Sequence, residues 1–441
     1  KPSEHTFAYN GTDNRINMTS PLGKSTQYVY DKNRRVTSIL KPSGKSIQNY
    51  YSQDRLISTT TPEDTFVYSY LFGDKVGSIT KGSESINYTY DGNLLTSINQ
   101  TGALNSSIAY TYNNDFKVSS MTYANASSTY TYDNDGQLTQ SGAYTITRDS
   151  NALAASITDG TLTQSRGYNT YGELTTLNDN VFGYTLNRDN IGAISTKQES
   201  LKGINTSYEY VYDDKARLVK VTKNGNEVES YTYDNNGNRV SATVNGVTSS
   251  ASYTLDDQIQ VYGNNTYTYD DDGYLVQKAT SDGTYNYTYG SLGELRSVAT
   301  PTASIEYLYN AQNQRVAKKV NGTIVEKYLW ANLTTLLAIY DKDDNLIQRF
   351  EYSDGRMPTA MTQNNTKYYL HYDQVGSLRA VSDTSGNIIK EITYDTYGNI
   401  LTDTNANFKV PFGFAGGLYD SDTKLTRFGY RDYDSYTGKW T

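Results

Sequence analysis

The chain has 441 residues, a formal net charge of −8, 20% charged and 36% hydrophobic residues, and 45 Tyr against 10 Phe and 2 Trp. The acidic balance argues against nucleic acid, whose phosphates need basic patches, and against a basic surface that docks on anionic membranes. The aromatic, hydrophobic content excludes disorder, no run approaches the roughly eighteen apolar residues of a spanning helix, and zero cysteines exclude disulfides, redox thiols and thiolate metal sites.

The chain opens on Lys1-Pro2-Ser3, without methionine or signal peptide, in material that already resembles the repeats; it reads as an excised fragment or a processed product. From Tyr28-Val29-Tyr30-Asp31 onward one phrase keeps returning: Tyr-x-Tyr-Asp, a polar turn, then alternating aliphatic residues. It recurs at Tyr88-Thr89-Tyr90-Asp91, Tyr130-Thr131-Tyr132-Asp133, Tyr210-Val211-Tyr212-Asp213, Tyr231-Thr232-Tyr233-Asp234 and Tyr267-Thr268-Tyr269-Asp270. A period of about twenty residues over most of a long chain means one supersecondary unit stacked many times. Function then belongs to the assembled surface.

Each unit reads as a β-hairpin. Ser128–Tyr132 alternates β-branched and aromatic residues, Asp133-Asn134-Asp135-Gly136 is turn chemistry, and Gln137-Leu138-Thr139 starts the return strand. A second turn, such as Lys223-Asn224-Gly225-Asn226 or Val244-Asn245-Gly246-Val247, leads to the next unit. Tyrosines at i and i+2 share one face of a strand. The expectation is that their rings stack across neighbouring strands into ladders, each pair adding about 0.5–1.5 kcal/mol, while the Asp fixes the turn. This structural reading outweighs a catalytic role for the Tyr-Asp pair. A side chain with an aromatic body and a polar tip suits a thin wall wet on one or both sides. Roughly 40 strands at about 4.8 Å give a ribbon of roughly 200 Å, about one turn of a barrel some 60 Å wide.

Between about 144 and 200 the pattern weakens around Tyr144, Tyr168 and Tyr184, although turns such as Asn169-Thr170-Tyr171-Gly172 continue. The register changes near 328, Trp330–Tyr340 is the most apolar stretch, and 366–441 reads as a closing element. No segment reads as an amphipathic helix.

Few residues offer chemistry. His5 and His371 are isolated, and His371 is expected to pack or hydrogen-bond. Asp270-Asp271-Asp272-Gly273 and Asp341–Asn345 invite calcium but lack spaced ligands and a closing Glu, so turn chemistry is favoured and no metal site is expected. Gly413–Gly417 lacks the Lys-Ser/Thr of a phosphate loop and reads as a tight backbone turn. Arg431 with Asp432 and Asp434 reads as an ion-pair lock or as part of a processing site.

These features resemble the Rhs, or Tyr-Asp repeat, family. The repeat motif is carried by Tyr88, Tyr90, Asp91, Tyr130, Tyr132, Asp133, Tyr231, Tyr233, Asp234, Gly237, Tyr267, Tyr269 and Asp270. A C-terminal block resembles the start of the Rhs-associated core: Tyr372, Asp373 and Gly376; Tyr394, Asp395 and Gly398; Pro411, Phe412, Gly416 and Leu418; then Tyr430, Arg431, Tyr433 and Asp434. The resemblance implies an all-β fold, a long antiparallel hairpin ribbon spiralling into a hollow shell, here a partial one. Residues 1–327 would form the wall, and 328–441 the last repeats and the start of the core as a cap, truncated before the processing motif and toxin domain.

In bacterial polymorphic toxins and the C component of Tc complexes, such a shell encloses a toxic C-terminal domain, and the animal teneurins use a similar shell in cell-surface adhesion. Arg431 matches the Arg with which the bacterial core cuts the chain, but the downstream Asp motifs are absent. The implied function is a non-enzymatic, cofactor-free segment of a secreted or cell-surface bacterial toxin shell. Its partners would be an enclosed passenger and a delivery or shell-completing protein. The rival is an extracellular adhesion or carbohydrate-binding protein that uses tyrosine rows as stacking platforms. Open strand edges predict edge-to-edge association in either case.

Overall fold

The computed structural model describes residues 4–441. From Thr6–Tyr9 to Ile400–Asp403, each strand pairs antiparallel with the strands before and after it, and 40 strands form one continuous meander. The first and last strands do not pair with each other, so the sheet is open. A separate four-stranded sheet runs from Leu418–Asp420 to Lys439–Trp440. Among the described residues the only helical segment is the short 3-10 turn Phe414–Gly416.

The hairpins arise from local chemistry. After Tyr130-Thr131-Tyr132, the Asp133 carboxylate accepts the amides of Asp135 at 3.0 Å and Gln137 at 2.8 Å. Gly136 then takes the left-handed conformation at φ 78°, which costs glycine nothing. The same position is filled without glycine at Ala216, φ 59°, behind Asp213. On the opposite edge of the ribbon, Asn245-Gly246 and Asn321-Gly322 have φ positive at both residues, the two-residue turn whose twist matches paired strands. Register slips by one residue just before the second tyrosine of the motif, as at Thr131/Tyr132, Thr232/Tyr233 and Thr268/Tyr269. A bulge bends and twists a strand; repeated in unit after unit, it coils the ribbon.

The second tyrosine spans repeats. Tyr70, Tyr132, Tyr168, Tyr253 and Tyr309 each donate a hydroxyl to a backbone carbonyl 14 residues upstream, at 2.6–2.9 Å. Basic side chains from the turns cover the rings: Arg35 lies 4.4 Å from the Tyr51 centroid and Arg217 4.7 Å from that of Tyr233. The expected ring-on-ring ladders give way to this arrangement. An aliphatic strand separates successive Tyr-x-Tyr strands, so their rings start about 9.6 Å apart, beyond the 4.5–7 Å or so at which aromatic pairs interact.

Contacts between distant segments show the winding. Ser20 bonds Asp256, Tyr123 bonds the Phe350 carbonyl, His371 bonds Asp179, and the Thr396 amide bonds Glu229, at sequence separations of 236, 227, 192 and 167. The ribbon therefore laps itself, and the lap shortens toward the C-terminus. A lap of some twenty strands has a girth of roughly 100 Å, about half of what one turn of the whole ribbon would have. Winding is tighter than the strand count alone suggested, and the second lap seats on the first. The chain exposes 21296 Å², where a compact monomer of 49.3 kDa exposes roughly 17,000 Å². That excess belongs to a sheet with two accessible faces.

Candidate functional site: the cap on the tyrosine face

The C-terminal four-stranded sheet, called the cap from here on, is reached through the turn after Tyr394, where Asp395 accepts the amides of Tyr397 and Asn399. Gly398, at φ 94°, lets the Phe414 ring lie directly against the backbone. Phe412 is buried edge-on against Phe350, 5.0 Å between centroids, and bridges Leu418. The Tyr419 amide donates to the Pro411 carbonyl at 2.8 Å. Gly416 turns left-handed against the Met357 sulfur, while the Arg356 guanidinium donates to the Ala415 carbonyl at 2.9 Å. This is the backbone turn expected of the glycine-rich stretch.

The cap sheet then lies on the tyrosine face of the second lap. Tyr307 donates to Asp420 at 2.6 Å and Tyr289 to Thr441 at 2.7 Å, while Tyr233 shares a 2.9 Å hydrogen bond with Tyr397 in the turn that leads to the cap. Tyr262 and Tyr436 pack edge to face at 4.8 Å. Leu425 of the cap joins a buried cluster with Tyr231, Tyr267, Tyr287 and Leu295. The wall strands touched run from Arg239–Val244 to Arg315–Val320, roughly 40 Å along a flat sheet, whereas four cap strands are about 15–20 Å wide. The wall must curve around the cap. The tyrosine face is therefore the concave face.

Buried charge joins the two sheets. Asp432 receives Arg315 at 3.1 Å and Arg427 at 2.8 Å, with all three side chains no more than 6% exposed. Lys318 meets Asp420 at 2.7 Å, and Lys278 meets Asp434 at 2.8 Å. Burial opposes the Arg315 cation, but the Asp432 charge together with the oxygens of Tyr309 and Tyr307 outweighs it and holds the guanidinium well above its ordinary pKa. Burial likewise opposes the Asp420 carboxylate, and Lys318 still keeps its pKa below the usual range. Glu229 has no such cation among the described residues: burial pushes its pKa up, and hydrogen bonds from Thr396 and Tyr231 offset only part.

Residues grouped by sequence separate in space. Arg431 is exposed and stacks 4.1 Å over Trp440, while Asp432 and Asp434 turn inward to wall cations, as alternation along a strand requires. Tyr433 bonds the Tyr397 carbonyl at 2.9 Å, and Tyr430 is 54% exposed. Tyr372 packs in the cluster around Phe350 and Met361. Asp373 accepts the amides of Val375 and Ser377 beside Gly376 at φ 90°. In the repeats, Asp234 accepts the Asn238 amide just after Gly237, Asp270 accepts that of Tyr274, and Tyr269 and Tyr267 lie on the cap-facing side. Tyr88 and Tyr90 stay half-buried on the first lap, where the Tyr90 hydroxyl donates to the Val76 carbonyl at 3.1 Å and Asp91 is exposed at the turn. His371 bridges Asp179 and Ser382, each at 2.9 Å. Among the described residues no group of His, Cys, Asp and Glu is arranged to hold a metal.

Sequence reasoning missed the wall partners Arg239, Lys278, Arg315 and Lys318. A signal existed for two of them. Arg239 and Arg315 occupy the strand start after a Tyr-Asp-type turn, where Leu138, Leu218, Leu275 and Leu295 stand in other repeats.

Known proteins share this architecture. Human Teneurin-4 is 26% identical across 96% of the chain, and Gallus gallus Teneurin-1 is 28% identical across 96%. The tRNA3(Ser)-specific nuclease WapA of Bacillus spizizenii is 30% identical across 50% of the chain. The chain spans 18%, 17% and 10% of those three proteins. Among solved structures, TcdB2-TccC3-Cdc42 superposes with a TM-score of 0.80 and the Photorhabdus luminescens Tc holotoxin pore with 0.79, each at 15% identity over 99% of the chain and about a quarter of the other (27% and 26%). At that identity the likeness concerns the fold, the same strand-wound shell wall. The teneurin YD-shell family matches residues 1–441 from end to end, and the chain belongs to that family.

Proposed function

We propose that this chain is wall and cap of a bacterial Rhs-type toxin shell, whose task is to sequester a C-terminal toxic passenger until delivery. It does so without catalysis of its own, outside the cell or on its surface. The observation that carries the reading is the cap seated on the concave, tyrosine-lined face, held by the Asp432, Asp420 and Asp434 ion pairs. A curved wall excludes outside proteins from its inner face, while tyrosine tips and wall cations keep that face too polar to grip a passenger. The WapA nuclease and the TccC3-containing assemblies support the toxin reading by likeness. Arg431, exposed beside Trp440, stands where a processing residue is reachable.

The test joins a protease-sensitive reporter domain after Thr441 and tracks its cleavage by added protease. Protection that disappears when the shell is unfolded supports sequestration. Cleavage at the rate of the free reporter overturns it. A teneurin-like adhesive role is the second reading, favoured by the teneurin matches across 96% of the chain where the nuclease matches 50%. Saturable binding of the chain to cells or glycans, lost when an exposed tyrosine pair is replaced, would select that reading.

A further inference from the structure

The turn Asp234–Asn238 of the wall meets the last strand of the cap, Lys439–Trp440, in an arrangement that the sequestering role does not use. Lys439 Nζ donates to Asn238 Oδ1 at 2.8 Å. The other side of the same carboxamide, Nδ2, donates to Asp257 Oδ1 at 2.6 Å and to Asp234 Oδ2 at 3.1 Å. Asn238 is only 4% exposed. An amine, a carboxamide and a carboxylate are thus aligned in a chain, with the carboxylate on the nitrogen that would leave.

We propose that Lys439 and Asn238 form an intramolecular isopeptide bond that covalently staples the cap to the shell wall, with Asp257 as the proton carrier. The neutral Nζ attacks the Asn238 carboxamide carbon, forming the Nζ–Cγ bond. The proton shed by Nζ passes to Asp257, which returns it to Nδ2. The Cγ–Nδ2 bond then breaks and ammonia departs. Atoms balance without oxidant or activated donor: lysine amine plus asparagine amide gives secondary amide plus ammonia.

The surroundings favour each step. Burial lowers the Lys439 pKa, against the opposing pull of Asp257 and Asp234, and so favours the nucleophilic neutral amine; Arg239 also helps lower it. The Tyr253 ring covers one side of Nζ, its centroid 4.9 Å away. Both partners are held still. Arg239, next to Asn238, donates to the carbonyls of Tyr436 and Thr437 at 3.2 and 2.9 Å, just before Lys439. Its guanidinium sits 3.8 Å from the Tyr397 ring centroid. Fixed approach of this kind converts a slow bimolecular aminolysis into an intramolecular one. A cleft of about 190 Å³ lined by Asp234, Asn238, Tyr253 and Asp257 gives ammonia a way out. An ordinary surface lysine–asparagine contact lacks the burial, the two carboxylates and the double anchoring.

The experiment is mass spectrometry of the folded chain after incubation and denaturation. The expected result is an intact mass lower by one ammonia, and a branched tryptic peptide joining the segment around Asn238 to that around Lys439. Lys439→Arg and Asn238→Ala should keep their full masses. Asp257→Ala retains both reacting groups and should also remain uncross-linked while showing the wild-type circular dichroism spectrum. A full-mass wild-type chain with that same spectrum would overturn the proposal. So would loss of ammonia without the branched peptide, which would mean that Asn238 closes on its own backbone instead. Cross-linking that persists in Asp257→Ala would overturn the role of Asp257.

Discussion

Replacing Asp432 by Asn tests whether buried charge, and not tyrosine packing alone, seats the cap. The substitution keeps size and hydrogen-bonding ability but removes the anion paired with Arg315 and Arg427, whose side chains are 6% and 4% exposed. Removing one partner of a buried pair costs about 3–5 kcal/mol, because the remaining charge stays desolvated and unpaired. That corresponds to a rise of roughly 10²–10⁴ in the cap-released population. Amide hydrogen exchange reads it directly: strands Leu425–Phe428 and Arg431–Asp434 should lose protection by that factor, while Ala126–Tyr132 on the first lap keeps its own. Asp422→Asn is the matched control. Asp422 is 43% exposed and Lys318 retains Asp420, so its loss should cost under about 1 kcal/mol. Equal effects of the two substitutions, or a change below about 1 kcal/mol in Asp432→Asn, would refute the argument.

Other consequences are smaller. Tyr132→Phe removes the hydroxyl bonded to the Val118 carbonyl at 2.9 Å and should destabilise the chain by about 0.5–1.5 kcal/mol in denaturant titration. Ala216 sits at φ 59°, so Ala216→Gly should stabilise by up to about 1 kcal/mol, and Gly237→Ala should do the reverse. Burial opposes the Glu63 carboxylate, but its hydrogen bonds from Ser291 and Lys45 prevail and hold its pKa at about 2, below the ordinary 4.5. A depressed carboxylate contributes stability that is complete above 4.5 and lost as pH falls toward about 2. Thermal midpoints measured through that window should fall less steeply for Glu63→Gln than for the native chain.

The hairpins were legible in the sequence because everything that specifies them is local. Asp133 and Gly136 lie within one turn, and Tyr130 and Tyr132 share a face by alternation alone. What lay beyond reach depends on the winding. Arg315 meets Asp432 across 117 residues and His371 meets Asp179 across 192, and those registers come from small bends accumulated over many strands. The ring ladders failed for a simpler reason: the intervening aliphatic strand doubles the spacing, and Arg35 and Arg217 supply the stacking partners instead. In the C-terminal block, position in the strand mattered more than proximity in sequence. Arg431 and Asp432 are neighbours in sequence yet point to opposite sides of one strand, one to solvent over Trp440 and one to the wall.

Small-angle X-ray scattering on the purified chain addresses the central claim of a wall wound around an interior most directly. A solid body of 441 residues has a radius of gyration near ~22 Å. The wound, open shell predicts a larger value and a pair-distance curve shifted toward long distances, as mass lies away from the centre. A radius near ~22 Å with the symmetric curve of a filled globule would contradict the account.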